Sequence, residues 1–194
     1  MLRAFSLLAK HPGFRLARYE LELYRDLFRW MRGTTLVPAG AVALPHPPGR
    51  LQMLASVIAI LFVEITVVHL LLPAGVVRLV ALLLSLWGVA YVASLIASER
   101  IRPSYASDEV TVLRRGKIVF AEVPADFIQQ QHQVRTFASE ISVAQGMLTV
   151  GGAGGTDVLL ELSEPIDATG DHYPWQNPRP QPVTAIRYYA GLTR

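Results

Sequence analysis

Two consecutive apolar stretches constrain this chain more than any other feature. Leu51 to Leu72 is a largely apolar run of 22 residues whose only ionisable side chains are Glu64 and His69, and Leu79 to Ala97 is a second run with no charge at all. At about 1.5 Å per residue the first spans roughly 33 Å as a helix, enough for a hydrocarbon core of about 30 Å. Residues 51 to 98 contain just two charged side chains, Glu64 and Arg78, in a chain that is 17% charged. Pro73, Ala74 and Gly75 separate the runs, and a Pro followed by Gly ends one helix and turns the backbone into the next. The pattern predicts a tight antiparallel helical hairpin that crosses a bilayer twice. The competing reading, two buried helices in a soluble core, needs amphipathic elements to wrap them.

Basic residues set the orientation. Residues 1 to 50 carry eight Lys or Arg against three acids, Arg100 and Arg102 follow the second run, and the turn offers only Arg78. The preference of Lys and Arg for the cytoplasmic side puts both termini inside, as in a two-span protein of the cell (inner) membrane. The first long apolar run begins only at Leu51, so no cleavable signal pattern is present and the first helix is expected to act as its own insertion signal.

Upstream, residues 14 to 32 read FRLARYELELYRDLFRWMR. On a helical wheel Arg15, Arg18, Arg25, Arg29 and Arg32 share one arc with Glu22 and Asp26, and Leu16, Leu21, Leu23, Leu27, Phe28, Trp30 and Met31 cover the opposite half. Such a helix can lie in the membrane interface, with cations at anionic head groups and Trp30 at the boundary. Its apolar face can equally pack on the protein's own globular part. Glu20 projects into the apolar half and fits neither arrangement. A third reading is an organelle presequence, because residues 1 to 19 hold Arg3, Lys10, Arg15 and Arg18 with no acid. Residues 33 to 50 are rich in Pro and Gly and form a connector, with a short extended stretch expected at Ala41 to Leu44.

Beyond Arg102 the periodicity becomes alternating. Val110 to Leu113 and Ile118 to Val123 flank Arg114-Arg115-Gly116-Lys117 and predict a β-hairpin. Ile141 to Val150, Val158 to Leu162 and Val183 to Tyr189 are each expected as a further strand, with Ala125 to Val134 either a short helix or a strand. The expected organisation is a basic arm and connector (1 to 50), a transmembrane hairpin (51 to 98) and a β-rich domain (99 to 194), an α+β membrane protein.

The segment EVTVLRRGKIVFAEVPADFI (109 to 128) resembles the opening hairpin of bacterial pleckstrin-homology-like domains found in small membrane proteins, where strand, basic Arg-Gly turn, strand and a Pro-led stretch recur. The whole chain also looks similar to actinobacterial two-span membrane proteins. The resemblance covers residues 51 to 135 and implies a small, strongly bent β-sheet at the membrane surface.

Few residues suggest chemistry. Glu64 lies past the middle of the first run, where a charge costs at least about 2.5 to 3.5 kcal/mol, so it is expected to be protonated or paired. Counting outward from Gly75 sets it opposite Ser85 to Trp87, so a structural bond to Ser85 competes with a proton or ion relay. Ser85, Gly88, Ala90, Ser94 and Ala97 are small residues suited to lateral helix packing. His69 and Arg78 sit near the outer end, where their tips can reach head groups. Gly151 to Gly155 (GGAGG) suggests a flexible hairpin tip rather than an anion cradle, since no Lys-Ser or Lys-Thr follows. Tyr173 and Trp175 sit in a Pro-rich stretch suited to a recognition loop. Without Cys, with scattered His and with no catalytic motif, the sequence predicts no metal, no cofactor and no enzyme. The net acidity after Arg102 argues against nucleic acid. The expected role is a membrane-anchored interaction or scaffold protein whose partners are the bilayer and another protein. The alternative is an accessory subunit of a larger membrane complex docking through Glu64.

Overall fold

The computed structural model describes residues 12 to 173 and 176 to 192. Arg3, Lys10 and His11 of the arm, and with them most of the presequence reading, lie outside the described residues, as does Trp175. Among the described residues three helices come first: α1 (Pro12–Met31), α2 (Arg50–Leu71) and α3 (Val76–Ile101). Nine strands contribute the rest: β1 (Val42–Ala43), β2 (Tyr105–Ala106), β3 (Val110–Arg115), β4 (Ile118–Pro124), β5 (Ile128–Thr136), β6 (Ile141–Ala144), β7 (Met147–Val150), β8 (Thr156–Ala168) and β9 (Gln181–Tyr188).

α2 and α3 form an antiparallel hairpin, both long and apolar enough to cross a membrane. α2 and the tip half of α3 are not wrapped by other elements, with Ile60 65% exposed, Val63 64% and Leu83 57%, whereas α1 covers α3 from Trp87 to Arg102. α2 starts where the Gly49 N–H donates to the Gln52 side chain at 2.8 Å and stops at Leu72, whose backbone turns extended ahead of Pro73. α3 runs four residues beyond the apolar stretch, to Ile101.

The strands make two sheets. One has the order β1-β2-β3-β4, all antiparallel; the other has the order β5-β8-β9-β7-β6, with β7 and β9 parallel. β1 is the extended stretch expected near Ala41 to Leu44, and it pairs with β2 directly after α3. Leu113, Phe120 and Val123 from the first sheet pack on Leu148, Val158, Leu160 and Ile186 from the second, and all seven are fully buried. Thr169 N–H closes the layer by donating to Phe120 O at 2.8 Å. The β-rich domain is therefore two facing sheets, where the resemblance implied one bent sheet.

Two expectations about strands need correction and one open assignment is settled. Ile141 to Val150 is a hairpin and not a single strand: Gln145 (φ 53°) and Gly146 (φ 74°) both take left-handed backbone, the two-residue turn that matches strand twist. Gln is an unusual residue for that geometry, so the turn was hidden. β8 continues through Pro165 to Ala168 because the register is broken between Glu161 and Ile166, an irregularity that tolerates a residue without an N–H. Residues 125 to 127 form a 3₁₀ turn and residues 128 to 136 a strand, settling an assignment the sequence left open.

The GGAGG segment is no flexible tip. A Cβ at Gly152 would lie 2.7 Å from the Pro47 ring, one at Gly154 2.4 Å from the Pro48 ring, and one at Gly155 (φ +76°) 1.9 Å from Thr136 O. Gly49 meets Ala153 equally closely, with 2.4 Å between Cβ positions. Glycine is required because the proline connector lies directly on this loop. The joint fastens the β-rich domain to the first turn of α2.

Candidate functional site

The polar groups of the molecule converge where the charged end of the hairpin meets α1 and the β-rich domain. On α1, Tyr19, Glu22, Leu23 and Asp26 recur at helical spacing and form one stripe facing α3. Leu23 and Asp26 are wholly buried. The Asp26 carboxylate accepts two bonds from Arg102, at 3.0 Å from Nε and 3.1 Å from the terminal nitrogen, one from Ser98 Oγ at 3.2 Å and one from Arg29 at 3.3 Å. Glu22 accepts from Lys117 and, at 3.1 Å, from Arg18. The Lys117 bond, ahead of all else, holds the Glu22 carboxyl below the ordinary glutamate range. Burial pushes the Tyr19 hydroxyl up to about 12. Glu20, which the wheel left unexplained, accepts from Trp87 Nε1 at 2.9 Å and from Tyr24 OH at 2.7 Å.

α1 therefore docks through an acidic edge, and neither simple reading of its apolar half is complete. Leu23 is taken by the protein's own contacts, whereas Phe14, Leu21, Phe28 and Met31 remain 45 to 66% exposed. At 100° per residue these exposed side chains adjoin Arg18, Arg25 and Arg32. Of the five arginines, Arg15 instead donates to Asn177 Oδ1 at 2.6 Å and to Gln176 O at 2.9 Å, and Arg29 reaches Asp26. Arg32 lies 4.1 Å over the Phe28 ring, and Trp30 is 44% exposed.

Behind α1 the two hairpin ends remote from the Pro73–Gly75 turn are tied by Arg50 Nε to Glu99 Oε1 at 2.7 Å, and His46 Nε2 lies 2.9 Å from Glu99 O. Arg115 pairs with Asp171, with one bond at 3.0 Å. These two ion pairs stand between two cavities. The larger, about 770 Å³, lies between the proline connector, the first turn of α2, the β3–β4 turn and the GGAGG loop. The smaller, about 510 Å³, lies on the α1 side, against Tyr19, Tyr91 and Lys117. Arg114 lines the larger one and has no carboxylate partner among the described residues: its guanidinium donates to Pro103 O at 2.8 Å and Leu36 O at 3.2 Å and lies 5.0 Å over Tyr105.

Further along the hairpin, Ser85 Oγ lies 3.3 Å from Glu64 Oε1, at the level expected from counting outward from Gly75. Ser85 is buried and Glu64 is exposed on the hairpin's flank. The small-residue row is not free for a lateral partner: a Cβ at Gly88 would lie 3.6 Å from Leu61 of α2, and Ser94 and Ala97 are fully buried. Arg78 donates to the His69 ring, so the two polar residues near the tip meet each other. Among the described residues no three His, Asp or Glu side chains gather as metal ligands.

Asp26, Glu99 and Lys117 hold this junction together and were not singled out in the sequence. The one available signal was acids placed among arginines, since Asp26 and Glu99 are acids within basic flanks of apolar segments. No family model, no curated protein and no solved structure matches the chain, so the site rests on its own geometry.

Proposed function

We propose that the chain is a non-catalytic, membrane-anchored interaction protein whose hairpin crosses the cell membrane twice, with both termini cytoplasmic. The observation that carries this reading is a two-helix hairpin with apolar side chains exposed along α2 and the tip half of α3, locked at its charged end to a folded β-rich domain. Hydrocarbon is the medium in which that surface costs nothing, and the exposed Phe14, Leu21 and Phe28 beside Arg18, Arg25 and Arg32 suit the head-group layer below it. On this reading the basic β3–β4 turn, the centre of the resemblance to pleckstrin-homology-like domains, docks to α1 through Lys117 alone, while Arg115 pairs with Asp171. The face left for a protein partner is the far sheet, where β5 is exposed from Gln129 to Arg135.

Because the chain has no Cys, topology can be read without background. Ala74→Cys should react with an impermeant maleimide in intact cells and Glu122→Cys only after lysis; the reverse result, or release of the protein by alkaline carbonate, refutes the placement. A photo-crosslinker at Gln131 should trap a discrete protein partner in cells, and its absence refutes the interaction role. A second reading, an accessory subunit of a membrane complex, is favoured by the exposed Glu64 carboxyl. Glu64→Leu should then dissolve a larger assembly on a native gel while the β-rich domain stays folded.

A further inference from the structure

The larger cavity has a composition that the interaction role does not use. Its volume falls in the range of small-ligand sites, roughly 300 to 1,000 Å³. One part of its wall is cationic and the rest is apolar. Arg50 and Arg115 are neutralised by Glu99 and Asp171, and Arg102 is paired from outside the cavity by Asp26, which leaves Arg114 as the cation of this wall without a carboxylate among the described residues. Arg114 has only carbonyls and a ring around it. Burial, ahead of all else, draws the Arg114 pKa below the ordinary arginine value, with Tyr105 opposing the shift and Arg102 adding to it. Against these cations stands Glu140, an exposed carboxylate on the cavity wall.

The apolar wall includes Leu113, Phe120 and Val150 and reaches Leu51 and Met53 on the first turn of α2. Met53 is 55% exposed, so the wall runs on into the apolar surface of the hairpin. A ligand that satisfies both parts carries a phosphate at one end and hydrocarbon at the other.

We propose that this cavity binds the phosphate head of an anionic phospholipid from the leaflet in which α2 begins, with the phosphate at Arg102 and Arg114 and the glycerol end leaving past Met53. The site depends on the hairpin being membrane-embedded. It is separate from the α1 surface, whose contact with lipid is unspecific and lies on the other side of the Arg50–Glu99 pair.

The test is native mass spectrometry of the full chain released from micelles holding equal amounts of phosphatidylglycerol and phosphatidylcholine, with soluble glycerol phosphate in a parallel arm. One phosphatidylglycerol per chain is expected, favoured over phosphatidylcholine by about tenfold, with no glycerol phosphate adduct. Arg114→Gln should abolish the preference. Because Arg114 also holds two carbonyls and its loss can loosen the fold, Glu140→Gln gives an independent arm: this exposed side chain leaves the core untouched, and the preference should rise by about threefold. Equal adducts of both lipids, a preference unchanged in Glu140→Gln, or binding of glycerol phosphate without lipid each overturns the proposal. Recovery of the chain as a soluble species without detergent would instead defeat the membrane reading beneath it, so the two failures are told apart.

Discussion

Replacing Asp26 by Ala removes the acceptor at the centre of the α1–α3 contact, and the structure sets the size of the effect. The carboxylate is wholly buried and accepts four bonds, two of them a fork from Arg102 whose side chain is 23% exposed. Breaking a buried pair by deleting one member costs about 3 to 5 kcal/mol, because the remaining charge is stranded. Partial exposure of Arg102 lets water recover some of that, so the lower end, about 3 kcal/mol, is expected. At about 1.36 kcal/mol per decade this is a hundredfold or more in the equilibrium for α1 opening. The assay is hydrogen exchange of residues 12 to 31 in detergent micelles, for Asp26→Ala, Arg102→Met and the double variant. The single changes should each raise exchange across α1 while β8 and β9 stay protected. The double variant should recover part of the loss, giving a coupling of about 2 kcal/mol. A coupling below about 0.5 kcal/mol, or unchanged exchange in Asp26→Ala, would show that Leu23 and its apolar neighbours hold α1 without the charge.

Three further outcomes follow from the same geometry. The folded-state pKa of Glu22 is depressed, so its contribution to α1 docking is complete above the unfolded value of about 4.5 and is lost as pH falls through the lower folded value; proteolysis of α1 should accelerate in that acid window and Lys117→Gln should flatten the response. Gly155→Ala combines left-handed backbone with a Cβ 1.9 Å from Thr136 O and should destabilise the β-rich domain by at least about 2 kcal/mol in chemical denaturation, whereas Gly146→Ala, with 3.8 Å to its nearest neighbour, should cost only about 1 kcal/mol. Gln145→Gly relieves the positive φ at the β6–β7 turn and should raise stability by about 0.5 to 1 kcal/mol, seen as a higher denaturation midpoint with an unchanged slope.

What the sequence made legible is what depends on local pattern. The apolar runs marked α2 and α3 to within a few residues, and the Arg-Gly turn marked β3 and β4, because periodicity and turn residues act over short distances. The contacts that build the junction were hidden for the opposite reason. Asp26 meets Arg102 across 76 residues and Glu22 meets Lys117 across 95, and no spacing rule brings such positions together. GGAGG was misread because glycine serves a mobile loop and a close contact equally well, and only the proline rings of the connector distinguish the two. Glu20 was anomalous on the wheel until Trp87, on a different helix, supplied its donor. The Ser85–Glu64 bond could be anticipated because an antiparallel hairpin with a short turn fixes which residues stand level.

With the hairpin in a bilayer as proposed, the seat of Pro47 and Pro48 on Gly152 and Gly154 governs how the β-rich domain can behave there. A tethered domain would tumble on its leash and sample every heading. Here the first turn of α2 and the β7–β8 loop share one rigid weld, so whatever lean the hairpin adopts is passed on undiminished to the sheets. A thinner or thicker bilayer, by changing that lean, would swing the exposed β5 edge like a rudder toward or away from the membrane plane.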